Sequence, residues 1–170
     1  MEPLLETKNI KSDLIIANKR LLRGDLVIFP TETVYGIGAD ATNSKSIKKI
    51  YEIKNRPFSN PLICHFESLE KVSKEVEFND LAIKLAKKFW PGPLTIILKK
   101  NKNSRISPNV SNNNDLIGCR VPRHPIAQKL LRSLNRPIAA PSANISTKLS
   151  STNVKHLDNK LKKSVFIIDG

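Results

Sequence analysis

The stretch Phe29-Pro30-Thr31-Glu32-Thr33-Val34-Tyr35-Gly36-Ile37-Gly38 gathers two threonine hydroxyls, a carboxylate, a phenol and two glycines. It follows the apolar run Leu26-Val27-Ile28, which reads as a short buried strand. Pro30 ends that strand because it offers no ladder donor. A loop that holds a polar ligand at a strand end needs such an inventory. A glycine-containing loop with satisfied hydroxyls shares it, so the decapeptide alone leaves both readings open.

A second group is Lys54-Asn55-Arg56-Pro57-Phe58-Ser59-Asn60-Pro61-Leu62-Ile63-Cys64-His65-Phe66. In an extended backbone Lys54 and Arg56 point the same way, and a point charge beside a planar fork suits a phosphate chain. A solvated charged turn is the alternative. His65 closes an apolar run, where a hydrogen-bonded core histidine is commoner than a ligand. Arg120 lies inside the apolar run Leu116–Pro122, costly unless paired or facing a ligand. Pro141-Ser142-Ala143-Asn144 offers small residues that let a ligand near the backbone, with Ser142 and Asn144 as compact hydrogen-bonding groups.

The elements that must position these groups alternate between helical and strand patterns. Ile10, Leu14, Ala17 and Leu21 recur at helical spacing before Gly24. Ser44 is placed to cap a helix carrying Ile47, Ile50 and Tyr51, which ends near Lys54. Ser68 opens a helix with Leu69, Val72 and Val76; Asp80 caps another with Leu81, Leu85 and Phe89 inward. Trp90-Pro91-Gly92-Pro93 stops it, and Leu94–Leu98 reads as a strand. The polar segment 99–114 reads as a mobile loop. Pro125 starts a helix with Ala127, Leu130, Leu131 and Leu134 on one face. Pro137–Ala140 is a strand, Ser150-Ser151-Thr152 offers a cap for a helix with Val154, Leu157 and Leu161, and Val165–Ile168 is a last strand. The pattern predicts an α/β (mixed α+β) fold, a sheet with helices on both faces.

The 170 residues predict one domain over 1–170, which buries roughly 70% of its unfolded surface. No apolar run is long enough to span a bilayer and no signal-peptide order opens the chain, so the expected location is the cytoplasm. Cys64 and Cys119 lack a CxxC partner or a histidine cluster; they read as reduced, buried hydrophobes, and no metal site is expected. A net charge of +14 favours polyanionic partners, nucleotides or nucleic acid. There is no GxGxxG, Walker loop or GxSxG elbow, and the three histidines lack a nucleophile partner.

Five segments resemble one family: Pro30–Gly36, Lys54–Pro57 with Ser59–Leu62, Trp90–Thr95, Arg120–Pro122 and Pro141–Asn144. In this order and spacing they resemble the YrdC-type threonylcarbamoyl-AMP synthases, across residues 26 to 157. The resemblance implies a twisted mixed sheet around a basic cavity. It implies that L-threonine, bicarbonate or CO2, and ATP yield threonylcarbamoyl-adenylate and pyrophosphate, with Mg2+. Separate transfer enzymes would then pass the threonylcarbamoyl group to tRNA. It places Lys54, Arg56, Asn60, Ser142, Asn144 and Ser150 on the nucleotide side, and Thr33, His65 and Arg120 on the threonine side, with Thr31 and Tyr35 shaping the pocket. No covalent nucleophile is implied; catalysis is by positioning and electrostatics.

Family members usually continue past the final strand with a Ser-Thr-Val-Val-Asp-like segment and a later arginine; this sequence stops at Asp169-Gly170. The expectation is a C-terminally truncated or naturally short form. The competing reading is a non-catalytic module that binds double-stranded RNA or tRNA, motivated by the charge; aromatics at 5% give it little stacking surface. The similar domain of hydrogenase-maturation carbamoyltransferases ranks last, because its companion domains are absent from this sequence.

Overall fold

Asn9 accepts the Ser12 N–H in its side chain and so starts the first helix, α1 (Ile10–Arg23). Gly24 ends it with φ 86°, a left-handed backbone that glycine adopts without strain. This computed structural model describes residues 9–145 and 149–170. The further helices are α2 (Ser44–Lys54), α3 (Leu69–Ser73), α4 (Asp80–Phe89), α5 (Pro125–Leu134) and α6 (Asn159–Ser164). The strands are β1 (Val27–Phe29), β2 (Gly36–Asp40), β3 (Ile63–His65), β4 (Val76–Glu77), β5 (Ile96–Lys100), β6 (Leu116–Arg120), β7 (Ile138–Ala139) and β8 (Phe166–Ile167).

The strands form one sheet in the order β4-β5-β6-β3-β7-β2-β1-β8. β3 runs parallel to β6 and β1 to β8, while the other pairs are antiparallel. One face buries Ile28, Ile37, Cys64, Leu98, Ile117 and Cys119 against residues of α2, α3, α4 and α6. The other buries Val27, Phe29 and Ile138 under Ala17 and Leu21 of α1 and the α5 residues Ala127, Leu130 and Leu131. This is the mixed sheet with helices on both faces that the sequence predicts.

The second face is only half covered. His65 stands opposite both Ile138 and Arg120, so by strand alternation all three share that face. Ile63, Gly118 and Ile97 form the next row on that face, and Ile97 remains 68% exposed. The sheet therefore has an open area beside α1 and α5, and His65 and Arg120 stand at its inner edge.

Several expectations change. Gly36–Gly38, read as loop, belongs to β2, whose five residues are all buried. A Cβ on Gly38 would come within 2.6 Å of Ile138 Cγ2 and 2.7 Å of Phe29 Cε1, so close packing requires glycine there. Segment 99–114 is anchored: β5 runs to Lys100, a 3-10 turn spans Pro108–Val110, and Ile106, Ser107, Val110 and Ser111 are buried. Buried Glu75 holds it by accepting the Arg105 N–H at 2.7 Å and the Ser104 hydroxyl at 3.0 Å. Val76 leaves the helix for β4, pairing with Lys100.

In α4 the buried residues are Ala82 and Ala86; Leu81 and Phe89 are exposed, because Asn79 caps the helix and sets its rotation. Asn43, one residue before Ser44, caps α2. The segment after Ser150 is a 3-10 turn, Val154–His156, before α6, which Asp158 caps. Cys64 and Cys119 are register partners, both buried; burial raises the Cys64 thiol well above its ordinary value and the Cys119 thiol to about 12. Among the described residues no helix is long and apolar enough to cross a membrane.

Candidate active site

The loop after β1 is built on the Thr31 hydroxyl. It donates to the Val34 carbonyl at 2.6 Å and accepts the Thr33 and Val34 N–H groups, each at 3.3 Å. That turn brings Thr33 Oγ1 within 3.0 Å of Thr31 Oγ1. The strand that follows is stitched to the segment after β7. The Ala143 N–H donates to the Tyr35 carbonyl at 2.7 Å, the Ile37 N–H donates to the Pro141 carbonyl at 3.0 Å, and Gly36 bridges Ser142. The Tyr35 phenol donates to the Gly170 carbonyl at 3.0 Å and lies 3.1 Å from Asp169 Oδ1.

Arg120, at the end of β6, is 8% exposed. Its Nε donates to the Gly92 carbonyl at 3.2 Å, and Nη1 and Nη2 both point at Thr33 Oγ1 at 3.3 Å. Nη2 also lies 2.8 Å from Glu32 Oε1. The Trp90–Leu94 turn supplies Gly92, held by the Gly92 N–H on the Val121 carbonyl at 2.8 Å and the Trp90 indole on the Leu94 carbonyl at 2.7 Å. Glu32 is the partner that sequence reasoning missed: it sat inside the loop motif with nothing to link it to Arg120. Burial pushes its carboxyl up, but Arg120 and nearby backbone N–H groups more than offset this and hold it below its ordinary value.

His65 is 4% exposed, its ring edge-on to Phe29 with centroids 6.3 Å apart. Its Nδ1 is buried without a hydrogen-bond partner among the described residues. Burial first, and the Arg120 charge second, push its pKa down to about 4, so the ring is neutral at pH 7.

Lys54 and Arg56 do not stand side by side on an extended chain. Lys54 is the last residue of α2, and Asn55, at φ 50°, turns the backbone left-handed between them. Lys54 is 1% exposed, its ammonium donating to the carbonyls of Ser142 and Asn144. Burial, and then the nearby Arg56 charge, lower its pKa to about 8. Arg56 has other partners: its Nε donates to the Asn60 carbonyl at 3.0 Å and Nη2 to the Pro61 carbonyl at 2.9 Å.

Thr31, Thr33, His65, Arg120, Arg56, Asn60 and Ser142 all line one cleft of about 410 Å³. Arg120 reaches Thr33 and stands opposite His65 across β3 and β6, and Arg56, Asn60 and Ser142 border the same space. Lys54 sits behind the wall and acts on it through the Ser142 and Asn144 carbonyls. Asn144 borders a separate hollow of about 230 Å³ with Ser151, His156 and Asp158, and Ser150 is exposed outside both. The Asn144 side chain still reaches the cleft wall, its Oδ1 accepting the Ser142 hydroxyl at 2.5 Å. Among the described residues no group of three or more His, Cys, Asp or Glu is placed to hold a metal.

Known proteins are similar to this chain over most of its length. Residues 19–170 match the Sua5/YciO/YrdC family model, whose description reads "Telomere recombination". The threonylcarbamoyl-AMP synthase of Pyrococcus abyssi is 48% identical over 160 residues, covering 91% of this chain and 46% of its own length. That of Bacillus subtilis is 43% identical over 152 residues, covering 88% and 44%. The crystal structure of P. abyssi Sua5 complexed with L-threonine superposes with a TM-score of 0.86 at 44% identity, covering 92% of this chain and 46% of that one. This chain thus spans about half the length of these relatives. A match over this much of the chain, on the fold that gathers the cleft, places the protein in the Sua5/YciO/YrdC family.

Proposed function

We propose that this chain is an L-threonylcarbamoyladenylate synthase that uses L-threonine, bicarbonate or CO2, and ATP. The observation that carries the reading is one cleft lined by two differently held arginines, Arg120 bonded to Thr33 and opposite His65, and Arg56 bonded to Asn60, with Ser142 in the same wall. The threonine complex of the P. abyssi relative supports an amino acid as one ligand.

In this reading the threonine ammonium gives a proton to water, and the free amine bonds to the carbon of CO2 with loss of a second proton to water, or to that of bicarbonate with loss of water, giving a carbamate. A carbamate oxygen then attacks the α-phosphorus of ATP, the bond to the β-phosphate bridging oxygen breaks, and pyrophosphate leaves. Arg120 binds the threonine carboxylate, and its fixed guanidinium sets the amine toward the nucleotide. Neutral His65 lines the same part of the cleft as Arg120 and offers the substrate an uncharged ring beside that guanidinium. Arg56 holds triphosphate oxygens with its free edge while the Asn60 and Pro61 carbonyls fix the fork. Lys54 keeps the Ser142–Asn144 backbone in place against the nucleotide. Among the described residues no carboxylate cluster is placed to hold a metal, so Mg2+ would be held by the triphosphate and water and would spread the phosphate charge. The adenylate is the substrate of a transferase acting on tRNA.

The test is pyrophosphate release from ATP by the 170-residue chain with bicarbonate, with and without L-threonine. Threonine-dependent release is the expected result. Release that ignores threonine, or none with ATP and threonine both bound, overturns the reading.

A further inference from the structure

The two guanidiniums of the cleft are held by opposite means. Arg56 is held by neutral carbonyl oxygens, and no carboxylate lies within ion-pair distance of it among the described residues. Arg120 is held by charge, with Glu32 Oε1 at 2.8 Å and the two side chains 10% and 19% exposed. Coulomb attraction at this burial is several times its value in water. Glu32 takes no part in the cleft wall, and both its oxygens are shut off from solvent. It stays ionised behind Arg120, its carboxyl held below the ordinary range. The cleft therefore meets a full positive charge at Arg56 and an oriented but nearly neutral ion pair at Arg120.

That difference sorts ligands. A phosphate chain gains less from this pair than from an unpaired arginine, because Glu32 offsets part of the attraction of Arg120 for every negative charge. A zwitterionic amino acid carries one carboxylate for the Arg120 fork and one ammonium that the Glu32 charge favours. We infer that Glu32 is a specificity-determining residue: by neutralising Arg120 it reserves that end of the cleft for an α-amino acid and leaves phosphates to Arg56. The inference deepens the proposed function and rests on its placement of the two substrates. Specificity here is a difference in affinity, gained by penalising the wrong ligand at one end.

The test uses Glu32→Gln, which keeps the shape and removes the charge, with pyrophosphate and L-threonine titrated into the full chain by calorimetry. The variant is expected to bind one more equivalent of pyrophosphate than wild type. Pyrophosphate should then weaken its threonine binding about tenfold more than it does in wild type. Glu32→Asp, which keeps the charge, should stay close to wild type. Equal pyrophosphate stoichiometry and equal competition in Glu32→Gln and wild type overturn the inference. Should Glu32→Gln not fold, the double variant Glu32→Gln/Arg120→Gln, which leaves no unpaired charge, decides: the masked pair takes no phosphate, so pyrophosphate affinity stays within about twofold, and a tenfold loss overturns the inference. A wild-type chain that binds pyrophosphate and no threonine overturns the functional reading instead, and the pyrophosphate count still decides the role of Glu32.

Discussion

The Lys54 ammonium donates to the Ser142 carbonyl oxygen at 2.6 Å, joining the end of α2 to the segment after β7. The same ammonium reaches the Asn144 carbonyl, and the whole side chain is 1% exposed. A lysine in this position is a tie between two elements before it is a ligand. Lys54→Met keeps the aliphatic stem and strands two carbonyls, which should cost roughly 2 kcal/mol of stability. ATP binding should weaken with it, because Ser142 loses its backbone support, while threonine binding at Arg120 changes less. Urea unfolding and separate ligand titrations check this; an unchanged urea midpoint would remove the tie from the account.

Arg56 is the cleft's unneutralised cation, and both carbonyls that fix it use one edge of the fork. Arg56→Ala should weaken ATP binding about tenfold, near 1.4 kcal/mol, and leave threonine binding close to wild type. Arg56→Lys should recover little, since a single ammonium cannot bond both carbonyls and still offer a planar edge. Equal losses for both ligands would make Arg56 a structural residue of the 56–61 turn.

The residues that the sequence made legible are those whose chemistry was odd for their place. Arg120 in an apolar run had to be paired or liganded, and the structure shows Glu32 as its partner. His65 looked like a core histidine by local pattern, and it is buried, yet its Nδ1 lacks a partner. Their meeting depends on the parallel register of β3 and β6, a pairing 55 residues apart in the chain that no local spacing encodes. β2 was read as loop because a strand buried on both faces shows no alternation, and its glycines imitate a turn. α4 was read with the wrong face because its small alanines, not its leucines, meet the core. The extended backbone expected between Lys54 and Arg56 is absent because Lys54 closes α2 and Asn55, at φ 50°, is left-handed.

Gly38 offers a stability test away from ligand contact. A methyl group there meets Ile138 Cγ2 at 2.6 Å and the Phe29 ring at 2.7 Å, in the centre of the sheet. Gly38→Ala should lower stability by about 1–3 kcal/mol through overpacking. Thermal melting reads the loss, and threonine affinity per folded molecule should hold. A variant as stable as wild type would mean that β2 and β7 separate without cost.

His65 gives the chain a stability term with a defined pH window. Its folded pKa is about 4 against an ordinary 6.5, lowered by burial and then by Arg120, with Glu32 opposing. Between those values the unfolded chain binds a proton that the native ring refuses. Stability from this group is therefore complete above pH 6.5 and falls as the pH drops towards 4, by roughly 3 kcal/mol at most. His124, whose pKa burial also lowers, adds a similar trend, and Glu32, held below 4.5, adds its loss at lower pH. The difference between wild type and His65→Gln isolates the His65 share. His65→Gln should lose markedly less stability than wild type between pH 7 and pH 4.5 in urea titrations. A variant as acid-sensitive as wild type would show that His65 takes up its proton at an ordinary pH, and that neither its burial nor Arg120 keeps the ring neutral.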